Sequence, residues 1–117
     1  MGTVSTTQRE EHPLPGPVER TLLRVTAVQH FAPRGDPAAA SALGLRIVRE
    51  AAAGGADLVL APEMWSTGYS LPIDPALALP VDGPWVDGFR DLAAELGVGV
   101  AITLLAEHPG GPTNTTL

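Results

Sequence analysis

The spacing of apolar residues changes repeatedly along this chain, and each change marks an element. Over 22–30, Leu23, Val25 and Ala27 alternate with Leu22, Arg24, Thr26 and Val28, the period of a strand. Pro33, Gly35 and Pro37 interrupt it. Asp36 followed by Pro37 signals a helix start: the carboxylate caps free backbone N–H groups, and proline's fixed φ suits the first helical position. The helix is expected over 37–53, with Ala40, Leu43, Ile47 and Ala51 as its inward stripe and Ser41, Arg46, Arg49 and Glu50 pointing elsewhere. Gly54 and Gly55 stop it. Residues 57–61 form a short apolar run of the kind buried on both faces of a parallel sheet. Pro62, which cannot donate to a ladder, ends that strand.

Residues 63–83 read as a long loop punctuated by Gly68, Pro72, Pro75, Pro80 and Gly83, a length uncommon in compact domains unless it carries function. A second helix starts near Pro84, with Trp85, Phe89, Leu92, Ala93 and Leu96 inward and Asp87, Arg90, Asp91 and Glu95 wet; Gly97 ends it. Residues 98–106 read as one strand, 108–112 as a turn, and 114–117 as the start of an extended segment. This order predicts an α/β protein with a mostly parallel sheet and helices on one face. The other face of the second and third strands is also apolar, which implies a further layer from more chain or another subunit.

Composition narrows the function classes. The 117 residues suffice for one small domain, and a hydrophobic share of 44% makes most of it globular. A net charge of −6 argues against nucleic acid and against anionic membrane surfaces as partners. No stretch approaches the ~18 apolar residues of a membrane span, and residues 1–17 lack the apolar core of a signal peptide. A soluble cytoplasmic protein is the default expectation. Residues 1–20 read as a flexible arm, with Pro13, Pro15 and Pro17 against a helix. Gly2 and Thr6 match a myristoylation pattern that a Thr/Ser-rich tail also produces by chance. The chain has no Cys, and all its basic residues are Arg, so a disulfide, a thiolate metal site and a cysteine nucleophile are excluded within it. His12 and His108 lack companion ligands at metal spacing, and no metal or cofactor is expected.

In open α/β sheets, ligands bind beyond the carboxyl ends of the strands. Glu63 sits there, behind the rigid Pro62, and a carboxylate so mounted is a candidate general base. The competing reading is a cap or a solvated loop residue. Met64 and Trp65 adjoin it as an apolar wall or as core, Tyr69 is a candidate pocket residue or a packing corner, and Gln29 and His30 end the first strand near the same edge. Asn114 is expected to bond backbone locally. The dinucleotide fingerprint, the phosphate-binding loop and the Gly-x-Ser-x-Gly elbow are all absent.

Taken together, Val25-Thr-Ala-Val-Gln29, Gly35-Asp36, the 51–55 helix end, Ala56-Asp-Leu-Val-Leu-Ala-Pro-Glu63 and Thr67-Gly-Tyr69 resemble the opening of the nitrilase superfamily of carbon–nitrogen hydrolases. Val98-Gly-Val-Ala-Ile102 and Asn114-Thr115 resemble that family's next landmarks. The resemblance covers 22–117. It implies the N-terminal part of an αββα sandwich, built from two stacked sheets and usually paired across subunits. It implies hydrolysis of non-peptide C–N bonds in amides, nitriles or carbamoyl amines by a Glu-Lys-Cys triad. Glu63 matches the Glu, Tyr69 and Trp65 are candidate substrate contacts, and nothing here matches the Lys or the Cys. The expected organisation is an arm over 1–20 and a partial carbon–nitrogen hydrolase domain over 21–117, inactive alone and homo-oligomeric in the full-length enzyme. The rival expectations are a non-catalytic α/β module that pairs with another chain through its bare sheet face, and a split enzyme with Lys and Cys on a second chain.

Overall fold

A computed structural model describes residues 22–117, so the expected arm, the Gly2 pattern and His12 lie outside the described residues. The order is β1 (Val25–Ala27), α1 (Pro37–Ala53), β2 (Leu58–Leu60), a 3-10 turn (Pro75–Leu77), α2 (Pro84–Leu96), β3 (Gly99–Ala101), β4 (Thr103–Ala106) and β5 (Thr113–Thr116). The first three strands make a parallel sheet in the order β1-β2-β3, and β4-β5 is a separate antiparallel pair.

The helices obey their local signals. The Asp36 side chain accepts from the Ala39 N–H at 3.0 Å, and Pro37 opens α1. Gly97 closes α2 in the left-handed conformation, its N–H bonding the Ala93 carbonyl. The inward stripe of α1 is rotated from the expected one: Ala40, Gly44 and Val48 are buried, while Leu43, Ile47 and Ala51 flank them. The cause is Gly44. A β-carbon there would lie 2.7 Å from the Trp65 indole nitrogen and 2.8 Å from the Phe89 ring. The helix therefore turns its smallest side chain toward its bulkiest neighbours, and close packing offsets the ~1 kcal/mol that a mid-helix glycine costs. The Trp85 indole N–H donates to the Pro37 carbonyl at 2.7 Å, tying α2 to the start of α1.

Register explains the core. Thr26, Val59 and Val100 are aligned across the sheet, and Val59, Val100 and Val28 pack against Ala40, Val48, Phe89 and Leu92 of the two helices. The alternate set, Val25-Leu58-Gly99 and Ala27-Leu60-Ala101, faces away from the helices. There Val25 is 47% and Leu60 37% exposed, and among the described residues nothing covers this apolar face.

Two expected strands change. The first is shorter than 22–30: Leu22 and Leu23 are exposed, and ladder bonding runs only from the Arg24 carbonyl to the Val28 N–H. The third is not one strand. It leaves the parallel sheet at Ile102, whose N–H and C=O both bond Leu117, and β4 continues as the partner of β5. All four residues of β4 are buried, because its other edge is also occupied. Trp65 N–H donates to the Thr103 carbonyl at 2.8 Å, Leu79 N–H to the Leu105 carbonyl at 2.9 Å, and Glu107 N–H to the Leu79 carbonyl at 2.8 Å. The expected 63–83 loop is thus tied to β4 at Trp65 and Leu79, while 71–76 between them lies exposed at the surface.

Candidate active site

The site grows from the end of β2. The Ala61 N–H still bonds the Ala101 carbonyl at 3.0 Å, and Pro62 then releases the chain from the sheet. Residues 63–69 form consecutive turns folded around one carbonyl. That of Met64 accepts from the N–H groups of Thr67, Gly68 and Tyr69 at 3.3, 2.9 and 3.3 Å. Met64 (φ 56°) and Tyr69 (φ 62°) adopt left-handed backbone at the two ends of this turn. Such conformations cost about 1–3 kcal/mol each and persist only where surroundings enforce them.

The surroundings are identifiable. Met64 and Trp65 turn inward and are buried, and the Trp65 indole N–H donates to the Ala40 carbonyl of α1 at 2.8 Å. Ser66 is wholly buried, its Oγ accepting from the Leu105 N–H at 3.0 Å. Gly35 N–H bonds the Thr67 carbonyl at 2.8 Å, and Gly68 (φ 65°) lies so close to Ala32 and Pro33 that a β-carbon would be within 2.7 Å of both carbonyl oxygens. The turn is held on three sides, by α1, by β4 and by the 32–35 segment.

That clamping leaves Glu63 directed outward. It is exposed, and of the two readings offered for Met64 and Trp65, an apolar wall beside it or core, the burial of both side chains matches core. Its carboxylate is nevertheless held at both oxygens. Tyr69 OH donates to Oε1 at 3.3 Å, and Asn114 Nδ2 donates to Oε2 at 2.8 Å. A cleft of about 540 Å³ opens beside it, walled by Val28, Gln29, His30 and Phe31 from the end of β1 and by Glu63 and Tyr69 from the turn. Phe31 is 96% and Tyr69 51% exposed, so the mouth joins aromatic surface to the polar Gln29 and His30 and to one carboxylate, Glu63. Among the described residues, no three His, Asp or Glu side chains cluster to hold a metal.

The family model for "Carbon-nitrogen hydrolase" matches residues 24–117. The chain belongs to the carbon–nitrogen hydrolase family. Two curated relatives from Mycobacterium tuberculosis strains, Hydrolase MT0498 and Hydrolase Rv0480c, are each 38% identical over 82 residues, 70% of this chain and 29% of the relative. Among solved structures, XC1258 from Xanthomonas campestris, a CN-hydrolase superfamily protein with an arsenic adduct in its active site, superposes with TM-score 0.72 at 30% identity. The match covers 81% of this chain and 35% of XC1258. An amidase from Nesterenkonia sp. shares the fold at TM-score 0.62 and 24% identity, over 80% of this chain and 36% of the amidase. This carbon–nitrogen hydrolase chain thus spans under a third of the length of its curated relatives.

Within it, the candidate residues fall in different places. Glu63 and Tyr69 meet at the cleft mouth. Trp65 underlies the cleft but is 1% exposed, with its polar atom committed to α1, and offers only ring surface. Gln29 and His30 share the cleft wall. Asn114 is a correction: it reaches across to Glu63 instead of bonding backbone locally. The strand, turn and extended segment over 98–117 are legible in the sequence, but that Ser66 reaches β4 and Asn114 reaches Glu63 across the chain is set by tertiary contacts that no local pattern announces.

Proposed function

We propose that this segment supplies the general base of an amidase- or nitrilase-type carbon–nitrogen hydrolase acting on non-peptide C–N bonds. In this reading Glu63 takes the proton from a cysteine nucleophile, and a lysine stabilises the anion that develops as the thiolate attacks the substrate carbon. The observation that carries it is the Glu63 carboxylate, held at both oxygens at the mouth of a cleft beyond the strand ends. Tyr69 contacts the substrate from the cleft rim, and the ring of Trp65 forms part of the floor. The substrate is a small amide, nitrile or carbamoyl compound. Lys and Cys are both absent from the chain, so these 117 residues alone do not turn over substrate. The assembled enzyme is a homo-oligomer.

The test is turnover of amide and nitrile panels by the chain alone and by a polypeptide that joins it to the lysine- and cysteine-bearing remainder. The expected result is buffer-level rates for the first, activity for the second, and abolition by Glu63→Gln, which keeps size and removes the base. Turnover by the bare chain, or an active assembly indifferent to Glu63→Gln, sinks the assignment. The exposed Val25 and Leu60 on the outward sheet face favour a second reading, a non-catalytic module that pairs through that face. An inactive but stably paired assembly would support it.

A further inference from the structure

The geometry points to Asn114 as a positioning residue for Glu63: its amide fixes carboxylate Oε2, so that Oε1 is the oxygen presented to the cleft as the base. The inference rests on Glu63 being the base and adds which residue aims it. An exposed glutamate has several freely rotating torsions, and a carboxylate that must meet a substrate-bound nucleophile loses rate for every orientation it samples uselessly.

Three observations restrict those orientations. Asn114 Nδ2 lies 2.8 Å from Oε2, while Tyr69 OH lies 3.3 Å from Oε1. The charged oxygen with the shorter bond is the more firmly held, and the one with the longer bond is the more readily released to another proton donor. Tyr69 lines the cleft and Asn114 does not, so the Oε1 side is the one shared with the cleft.

The third observation is that Asn114 is itself fixed. It lies on β5, directly opposite Leu105 of β4. The flanking residues Leu104 and Thr115, and Ala106 and Thr113, are likewise paired, so Asn114 cannot slip along the strand without breaking the register. The Leu105 N–H is taken by Ser66 of the turn that carries Glu63. Base and amide are therefore mounted on opposite edges of the same buried strand, and β4 sets their separation.

The decisive experiment compares Asn114→Ala, Asn114→Asp and Glu63→Gln in the assembled polypeptide described above. Asn114→Ala should lower kcat by about 10- to 100-fold with KM within about twofold, the signature of a misaimed base. Asn114→Asp, though isosteric, should be worse than Asn114→Ala, because it replaces a donor by a like charge; a purely packing role would rank the two the other way. If Glu63→Gln is inactive while Asn114→Ala keeps its kcat, the inference is overturned and the base assignment stands. If Glu63→Gln is active, the base assignment itself has failed. A second measurement needs no turnover. In NMR spectra of the 117-residue chain, the two Asn114 side-chain amide protons should be well separated, and Glu63→Ala should collapse that separation. The Glu63 β-proton couplings should become rotamer-averaged in Asn114→Ala. Unchanged amide shifts and couplings in folded variants count against the clamp.

Discussion

Replacing Gly68 by alanine measures how tightly the Glu63 turn is held against the 32–35 segment. Gly68 has φ +65°, and a β-carbon there would sit 2.6 Å from the Ala32 carbonyl oxygen and 2.7 Å from that of Pro33, where ordinary contact is 3.4–4 Å. Two costs add. A left-handed backbone with a β-carbon costs about 1–2 kcal/mol. Overlap with backbone atoms, which cannot rotate away, adds about 1–3 kcal/mol, the range for overpacked sites. Gly97 separates the two terms. Its φ is +67°, but among the described residues nothing lies within 4 Å of its would-be β-carbon, so Gly97→Ala carries the conformational cost alone. Urea unfolding followed by circular dichroism should therefore place Gly68→Ala below Gly97→Ala by at least ~1 kcal/mol. That gap is readily measured against a total stability of about 5–15 kcal/mol. Equal losses in the two variants would mean that the 32–35 segment simply moves aside, and the account of a turn held on three sides would be wrong.

Three further outcomes follow from individual side chains. Ser66→Ala strips the buried Leu105 N–H of its acceptor and should cost about 1–3 kcal/mol in the same assay; an unaltered midpoint would show that the bond contributes nothing. Thr67 Oγ1 is buried and has no hydrogen-bond partner among the described residues, so the near-isosteric Thr67→Val should be neutral or stabilising by up to ~1 kcal/mol. A clear loss of stability there would reveal a partner for the hydroxyl. The outward face bearing Val25 and Leu60 should bind a hydrophobic dye, and Leu60→Arg should reduce the signal; identical fluorescence would place the dye elsewhere.

Where the sequence was legible, the physics was local. Asp36-Pro37 and Gly54 bound α1 because a cap, a fixed φ and a stop each act within a turn of the helix. The apolar run at 57–61 found its place as the central strand, between β1 and β3, although only its helix-facing Val59 is fully buried and Leu60 on the other face is exposed. The place of Glu63 just past the end of β2 was legible because Pro62 stops the ladder before it. The break at Ile102 was not. Residues 98–106 are apolar apart from Gly99 and Thr103, and no Gly or Pro marks the point where the chain changes sheets; the change is made by paired bonds to Leu117. The rotation of α1 was hidden for a related reason. A periodicity argument weighs large side chains, whereas here the absence of one at Gly44 decides which face meets Trp65 and Phe89. Asn114 could not have been matched to Glu63 from spacing, since the contact spans 51 residues and exists only once β5 is registered on β4.

The occupation of β4 on both edges has a consequence for the order of assembly. The turn that displays Glu63 bonds Thr103 through Trp65 and Leu105 through Ser66, the latter contact closing a span of 39 residues. The entropy of closing that span is spent before these bonds form, so the turn is expected to take its native shape late, after the helices have docked. In hydrogen exchange, the amides of Trp65 and Leu105 should then open together as one cooperative unit with β4. Protection of a turn amide would thus report on a strand far along the chain, and a lesion anywhere in 103–106 would loosen the candidate base without touching it.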